Sequence, residues 1–474
     1  MDNKLINSSI GRFLDTRDRM IWIKRIIILA VLFVSMMLAL LGSQERLIQV
    51  LLLIAGLAGL IILLQWPAVG LFGILIGIYF IPYSGPGGVN VAILGMIAVS
   101  ALWILDMIIR QRRVYFVEPR TTHAIFVFII SAILSFIIGQ LPWQPLARHA
   151  PLATQAGGLA IFVLSGLAFL LMGNIVRDLR WLKAFTWLFV AIGVLYIVTR
   201  MAPAIASIMR HYFYRNAFTG SLFWVWILVI PFSQALLNRQ LNRAWRVALF
   251  ALTLGVLYVS IIQASNWKSG YIPPLAGAAV VVVLMIRRRA IWIAPLLIVG
   301  AWLVMNQAVA TDLYSTMTRL DAWKIIFKLS SVSPLFGLGF GNYYWYTPLI
   351  PINGWHVSFN SHSQYVDIFS QTGLIGFVCF FLVFWEIGRL GWKLRDKAPE
   401  GFARAYVYGA LGGLAGTLVA GGFVDWILPF VYNIGMDGFR SSILSWLFLG
   451  GLVTIYQIVE KQQDSSIKNS STGR

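Results

Sequence analysis

Charged residues are scarce in this chain. Only 11% of its 474 residues are Asp, Glu, Lys or Arg, whereas 59% are hydrophobic. A soluble domain carries about 25% charged residues and about 45–50% apolar ones. Runs of about 18–20 apolar residues recur along the chain, and each is long enough to cross a hydrocarbon layer as a helix. The composition excludes a water-soluble protein and predicts an all-α polytopic membrane protein.

Cysteine is almost absent as well. The only one, Cys379, lies inside an apolar run, so an intramolecular disulfide and a thiolate metal cluster are both excluded. Neither a Cys-x-x-Cys nor a His-Glu-x-x-His pattern occurs, and we expect no metal ion and no other cofactor. No cleavable signal peptide is apparent, because the first apolar run starts too far from the N-terminus and continues as a span.

The apolar runs predict a single integral membrane domain over residues 1–474 with fourteen spans. Residues 68–82 are the weakest span, and the count falls to twelve if they form a re-entrant pair with residues 47–64. The predicted spans are residues 26–42, 47–64, 68–82, 91–109, 122–139, 156–175, 184–199, 221–237, 247–264, 271–286, 290–305, 374–390, 405–420 and 443–457.

The formal net charge of +20 is explained by this topology. With both termini in the cytoplasm, 27 of the 37 Lys and Arg residues fall in cytoplasmic segments and 10 fall outside. This asymmetry is the positive-inside bias of multi-pass proteins. We therefore predict a location in the inner (plasma) membrane, with membrane lipids as partners and no nucleic-acid partner.

The basic residues outside need a separate explanation. Arg215 lies in the outer loop 200–220, Lys268 in a very short outer loop, and Arg319 in the large extracytoplasmic loop 306–373. An anionic ligand at the outer face would account for them. Contact with lipid phosphates or with outer carboxylates is the alternative that the sequence leaves open. Those carboxylates are Asp312, Asp321, Asp367, Asp425 and Asp437.

Two motifs follow a helix predicted over residues 311–329 in the large loop. The first is Pro-Leu-Phe-Gly-Leu-Gly-Phe-Gly-Asn over residues 334–342, with glycine at alternate positions. Such glycines allow backbone amides to approach a ligand, or allow tight packing against helices. The second is His362, followed eleven residues later by Gly-Leu-Ile-Gly over residues 373–376.

Together with Arg319 and Trp323, the two motifs resemble the signature of the O-antigen ligase and O-antigen polymerase superfamily. The resemblance covers residues 319–376 and implies a glycosyltransferase of GT-C type. It implies transfer of a glycan from an undecaprenyl-pyrophosphate-linked donor to a hydroxyl of a glycan, lipid or protein acceptor, without a metal ion or nucleotide sugar. Ser363 replaces a common asparagine, Gln371 a common glutamate, and Lys268 the arginine of a Ser-Arg-Gly pattern.

The residue types fit such a transfer. His362 is the candidate base, because neutral imidazole takes a proton near neutral pH. Arg319, Arg215 and Lys268 are candidates to neutralise the departing pyrophosphate. A loop histidine bonded to backbone and an Arg319–Asp321 ion pair are the alternatives that remain open. Supporting candidates are Gly339, Gly341, Asn342, Tyr365, His356 and His211, and Trp345 and Trp355 are candidates to stack on sugar rings.

A second class of function suits the same number of spans, namely a lipid-linked oligosaccharide flippase or another polysaccharide transporter. Such proteins usually contain repeated halves, whereas this sequence shows no internal repeat and one dominant outer segment. The sequence therefore favours an enzyme. Its donor motif does not separate a polymerase from a ligase, although nothing in the sequence indicates a protein-acceptor module.

Overall fold

The computed structural model of this chain describes residues 66–209, 212–310 and 313–471, with six single positions before residue 66. The chain divides into two compact units, Met1–Trp66 and Pro67–Arg474. Apart from those single positions, the predicted spans 26–42 and 47–64 lie outside the described residues, as do His211 and Asp312.

Helices account for the regular structure of the described part of the second unit. Strand-like pairing is limited there to two isolated bridges, Ser84 with Asn90 and Ile352 with Trp355. The helices are α1 Pro67–Phe80, α2 Val91–Leu105, α3 Pro119–Ile138, α4 Leu152–Ile175, α5 Leu179–Met201, α6 Pro203–Met209, α7 Ser221–Leu237, α8 Arg243–Leu257, α9 Lys268–Ile286, α10 Ala290–Ala310, α11 Leu313–Ser330, α12 Asn342–Tyr346, α13 Gln364–Leu394, α14 Phe402–Phe423 and α15 Phe439–Ser471. A turn of π-helix extends α2 over Asp106–Gln111 and α8 over Tyr258–Gln263.

Nine helices of the described part are long and apolar enough to cross a membrane, so the chain is an all-helical, multi-pass membrane protein. The nine coincide with nine of the predicted spans. Predicted spans 68–82 and 221–237 correspond to the shorter helices α1 and α7, of 14 and 17 residues, and α10 covers the predicted span 290–305. The total of fourteen remains a prediction.

The core of the second unit forms around α7, which packs against α8, α9 and α14. Almost all of its side chains are buried, as expected of a helix that is apolar on every side. Glycines let α9 and α14 approach closely, because a Cβ atom on Gly277 would lie only 2.7 Å from the carbonyl oxygen of Gly412. Small residues serve this purpose in membrane helices, where backbone contact stabilises packing.

Hydrogen bonds and ion pairs join the connections between helices into two groups, which we describe as two ends of the second unit. At one end, which we call the motif end, Asn342 bonds to Gly139 and Ala150, and Tyr214 bonds to Asp437. The other end, which we call the basic end, holds the ion pairs of Arg287 with Asp396, of Arg389 with Glu118 and Glu386, and of Arg404 with Glu400. The segments predicted to face the cytoplasm between residues 110 and 404 meet at this basic end.

This grouping generates a topology prediction. Reporter fusions at Arg112, Arg288 and Arg395 should report the cytoplasm, and a fusion at Asn342 should report the opposite side, because basic segments resist translocation. The measurement is paired phosphatase and fluorescent-protein activity in cells. A cytoplasmic signal at Asn342 would contradict the orientation on which an outer-face reaction depends.

Candidate functional site

A cleft of about 350 Å³ lies at the motif end, between the start of α9, the first half of α11 and the end of α14. Lys268 and Arg319 both line it, together with Trp267, Trp323 and Trp426. Two of the three cations predicted to bind pyrophosphate, 51 positions apart in the chain, therefore lie at one site. The remaining lining residues are Asn266, Ser269, Ser315, Thr316, Leu320, Gly422, Phe423 and Val424.

The Lys268 side of the cleft is suited to an anion. Lys268 is the first residue of α9, and the preceding Trp267 gives no side-chain cap to the helix. A helix N-terminus already carries a partial positive charge and uncapped amide groups. A lysine there adds to that charge, an arrangement that is unfavourable for the helix alone and favourable when an anion binds.

The Arg319 side is set by α11. Asp321, the predicted alternative partner of Arg319, instead pairs with Lys324 at 2.8 Å. The same helix is tied to the segment before His362, because the indole nitrogen of Trp323 donates to the carbonyl oxygen of Ser361 at 2.7 Å. This bond fixes the position of α11 relative to the histidine.

His362 lies half-buried next to Arg319. Burial lowers the pKa of its imidazole below the ordinary value of 6.5, and the guanidinium charge of Arg319 lowers that pKa further. The imidazole is therefore neutral at pH 7, as a general base requires. Its backbone has a φ of 49°, in the left-handed region that a histidine rarely adopts.

Arg215 is not among the residues that line the cleft. It begins a short 3₁₀ turn, Arg215–Phe218, and is exposed. Its charge acts on Tyr196, and the ring of Trp224 contacts both Tyr196 and the cleft residue Trp267. The structure therefore places Lys268 and Arg319 in one cleft, with His362 beside Arg319 but not among the residues that line the cleft, and it places Arg215 outside the cleft.

The alternating glycines pack against backbone. Leu338 and Gly339 donate through their amides to the carbonyl oxygens of Ser370 and Gln371, at 2.8 and 3.0 Å. In return, Leu374 and Ile375 donate to the carbonyl oxygens of residues 334 and 335. A Cβ atom on Gly337 would lie 2.4 Å from the carbonyl carbon of Gln371. Of the two roles that the sequence allowed for this motif, the structure shows tight packing.

Asn342 and Gly341 serve the same packing. The amide of Asn342 is fully buried, donates to the carbonyl oxygens of Gly139 and Leu338, and accepts from the Ala150 amide. Gly341, with a φ of 75°, donates to the side chain of Gln371 at 3.3 Å. Through these contacts Gly341 and Asn342 stabilise the packing next to the site.

The other predicted supporting residues are dispersed. The hydroxyl of Tyr365 donates to the carbonyl oxygen of Leu418, which lies one helical turn before Gly422 of the cleft. His356 is exposed, and its Nδ1 atom lies 2.7 Å from the carbonyl oxygen of Pro348. Trp345 donates to the hydroxyl of Tyr432 and is half-buried, whereas Trp355 is exposed.

The described carboxylates that the sequence places outside divide into two groups. Asp321 and Asp437 form ion pairs, with Lys324 and Arg440 respectively. Asp425 and Asp367 are fully buried and accept hydrogen bonds from amide and hydroxyl groups. Sequence reasoning did not single out Asp367 for the site. The available signal was a carboxylate in the first turn of a predominantly apolar helix, where ionisable groups are usually functional.

The fold and the cleft define a multi-pass helical membrane protein with a cationic site at one end. Comparison with known proteins adds no family: no protein-family model matches the chain, and no curated protein matches it. The resemblance of residues 319–376 to the ligase and polymerase superfamily therefore remains a prediction.

The coupling of Arg319 to His362 is testable by histidine modification. Diethyl pyrocarbonate reacts with neutral imidazole, so the rate at His362, followed by mass spectrometry across pH, should reach half its maximum below pH 6.5. Arg319→Gln removes a nearby cation and should move this midpoint upward. Lys324→Gln is the matched control on the same helix and should leave the midpoint in place. An unchanged midpoint in Arg319→Gln would refute the coupling.

The packing of the glycine motif is testable by stability. Gly337→Ala should lower the free energy of unfolding by several kcal/mol, because the added Cβ atom creates a steric clash in addition to the strain of a positive φ. Gly354→Ala is the control, since Gly354 has a φ of 83° and no described atom within 4 Å of its Cβ position, and it should cost only about 1–2 kcal/mol. Thermal melting in detergent measures both. Equal melting temperatures for the two variants would argue against the close approach to Gln371.

Proposed function

We propose that the protein is a membrane glycosyltransferase that moves a glycan from an undecaprenyl-pyrophosphate-linked donor to an acceptor hydroxyl at the outer face, as an O-antigen or exopolysaccharide polymerase or ligase. The observation that carries the proposal is the meeting of Lys268 and Arg319 in one cleft, with the neutral His362 beside Arg319. A pyrophosphate needs cationic partners, and an attacking hydroxyl needs a base.

The proposed reaction is a single displacement. The acceptor oxygen attacks the anomeric carbon, its proton passes to the imidazole of His362, and the bond from that carbon to the pyrophosphate oxygen breaks. Lys268 and Arg319 neutralise the negative charge that develops on the pyrophosphate. Attack from the face opposite the leaving group inverts the anomeric configuration. The leaving ability of a neutralised pyrophosphate means that the proposed reaction needs no metal ion.

A lipid-linked donor is supported by the surroundings of the cleft. An apolar groove of about 840 Å³ lies between α13 and α14, lined by Phe377, Phe381, Trp385 and Leu418 among others. Leu418 lies one helical turn from the cleft residue Gly422 on α14. A cationic cleft one helical turn from an apolar groove matches a ligand with a pyrophosphate head and a long hydrocarbon chain.

The proposal also includes the topology. It has twelve to fourteen spans in an arrangement of GT-C type, with residues 306–373 outside the cytoplasm. The alternative is a flippase or polysaccharide transporter, whose substrate site is expected near the midplane of the bilayer. The position of Lys268 and Arg319 at one end of the bundle favours an enzyme.

The base assignment gives the first test. His362→Ala should lower transfer from purified lipid-linked donor by at least about 10²-fold, while expression and membrane insertion remain unchanged. His123→Ala, at an exposed position in α3 near the basic end, is the matched control and should retain activity. Full transfer by His362→Ala would contradict the proposed mechanism and would favour the alternative of a flippase or polysaccharide transporter.

The charge assignment gives the second test. Arg319→Lys should reduce the maximal rate by about tenfold or more, because a point charge does not replace a planar guanidinium on a diphosphate. The wild-type protein should remain active in a chelator. The measurement is product formation in detergent with and without the chelator. Complete loss in chelator with recovery on adding a divalent ion would contradict the metal-independent mechanism.

A further inference from the structure

Asp367 is buried five residues after His362, in the first turns of α13. It has 0% exposed surface. Its Oδ1 atom accepts from the hydroxyl of Ser361 at 2.6 Å and from the hydroxyl of Tyr343 at 2.5 Å. Its Oδ2 atom has no hydrogen-bond partner among the described residues. A buried carboxyl group with one unpartnered oxygen is costly. Stability alone therefore does not explain Asp367.

Ser361 connects Asp367 to the histidine segment. Besides its bond to Asp367, the Ser361 hydroxyl oxygen accepts from the amide of Ser363 at 2.9 Å. The Ser361 amide donates to the hydroxyl oxygen of Tyr343 at 3.3 Å, and its carbonyl oxygen accepts from Trp323. Ser361 and Ser363 are both buried, so the residues on either side of His362 are fixed in place.

The backbone of His362 is strained between these two fixed residues. A φ of 49° costs free energy for a residue with a Cβ atom. Such conformations persist only where the surrounding structure imposes them, and they concentrate at functional sites. The direction of the imidazole depends on this backbone conformation. The amide of His362 itself donates to the side-chain oxygen of Asn360 at 3.2 Å, and the flanking residues are held by the bonds made by Ser361.

We propose that Asp367 is a positioning residue, which holds the left-handed backbone of His362 through Ser361 and Tyr343 and thereby directs its imidazole toward the acceptor hydroxyl. This inference rests on the proposed function of His362 as the base. Asp367 acts through the bonded chain Asp367–Ser361–Ser363 and makes no described bond to the imidazole. The charge that acts on His362 is that of Arg319.

Hydrogen exchange tests the network without any assay of activity. Ser361→Ala removes the acceptor of the Ser363 amide and should raise exchange at least about tenfold in peptides that cover residues 359–365. Ser370→Ala is the matched control, because Ser370 is equally buried and its hydroxyl bonds within α13, to Val366. Unchanged exchange in Ser361→Ala would overturn the network.

Transfer kinetics test the consequence. Ser361→Ala and Asp367→Leu should each lower the maximal rate by about 10²-fold with an unchanged KM for the donor, because a small misplacement of a base is costly. Asp367→Asn retains an oxygen acceptor at Oδ1 and should retain activity within about tenfold of wild type. The double variant Ser361→Ala/Asp367→Leu should be no slower than either single variant, since both break one chain of bonds.

The possible failures are distinct. Wild-type protein without transfer, or an active His362→Ala variant, would overturn the proposed function and the positioning role with it. An inactive His362→Ala variant combined with equal rates for Ser361→Ala and Ser370→Ala would overturn the positioning role alone. If Asp367→Leu does not accumulate in the membrane, the Ser361→Ala and Ser370→Ala pair decides the question by itself.

Discussion

The motif end depends on backbone hydrogen bonds between residues 334–339 and the kink of α13. Non-helical backbone buried in a membrane protein must find partners within the protein. Gly373, with a φ of 64°, interrupts α13, and the amides and carbonyls that this releases bond to the segment from Pro334 to Gly339. These backbone hydrogen bonds divide α13 at Gly373, with a spanning helix on one side of that residue. On the other side lies the short helical segment that contains Asp367 and follows His362.

The electrostatics of the cleft connect donor binding to the strength of the base. Burial and Arg319 both lower the pKa of His362, so the free site holds a neutral but weak base. In the proposed reaction the pyrophosphate offsets the charge of Arg319, and the pKa of His362 rises toward its ordinary value. The histidine then becomes a stronger base when a donor is present, which couples proton abstraction to occupation of the site.

The sequence predicted the helices well, because each lipid-facing or buried span needs an apolar run that hydropathy detects. It also singled out Lys268, Arg319 and His362, whose charge or residue type is unusual for segments predicted to lie outside; the structure places the first two in one cleft and His362 beside Arg319, and their roles remain predictions. It did not reveal that Arg215 lies apart from the other two cations, since loop conformation decides that distance. The bonds of Asp367 were equally hidden, because they join residues from α12, α13 and the loop before it, and no periodic pattern records such contacts.

Two arginines at the motif end differ in their burial and in the partners that the structure gives them. Arg440 has 0% exposed surface, and its guanidinium donates to Asp437 and to the carbonyl oxygens of Gly77, Ile78 and Tyr83. Every nitrogen of the Arg440 guanidinium has an acceptor. Arg440 therefore joins α1 to α15 and has no donor left for a ligand. Arg319 is only partly buried, lines a cleft, and forms no ion pair in the part of the chain that the structure describes. In the proposed function, where this end faces outward, an anion that arrives with the substrate would supply the counter-charge that Arg319 lacks among the described residues.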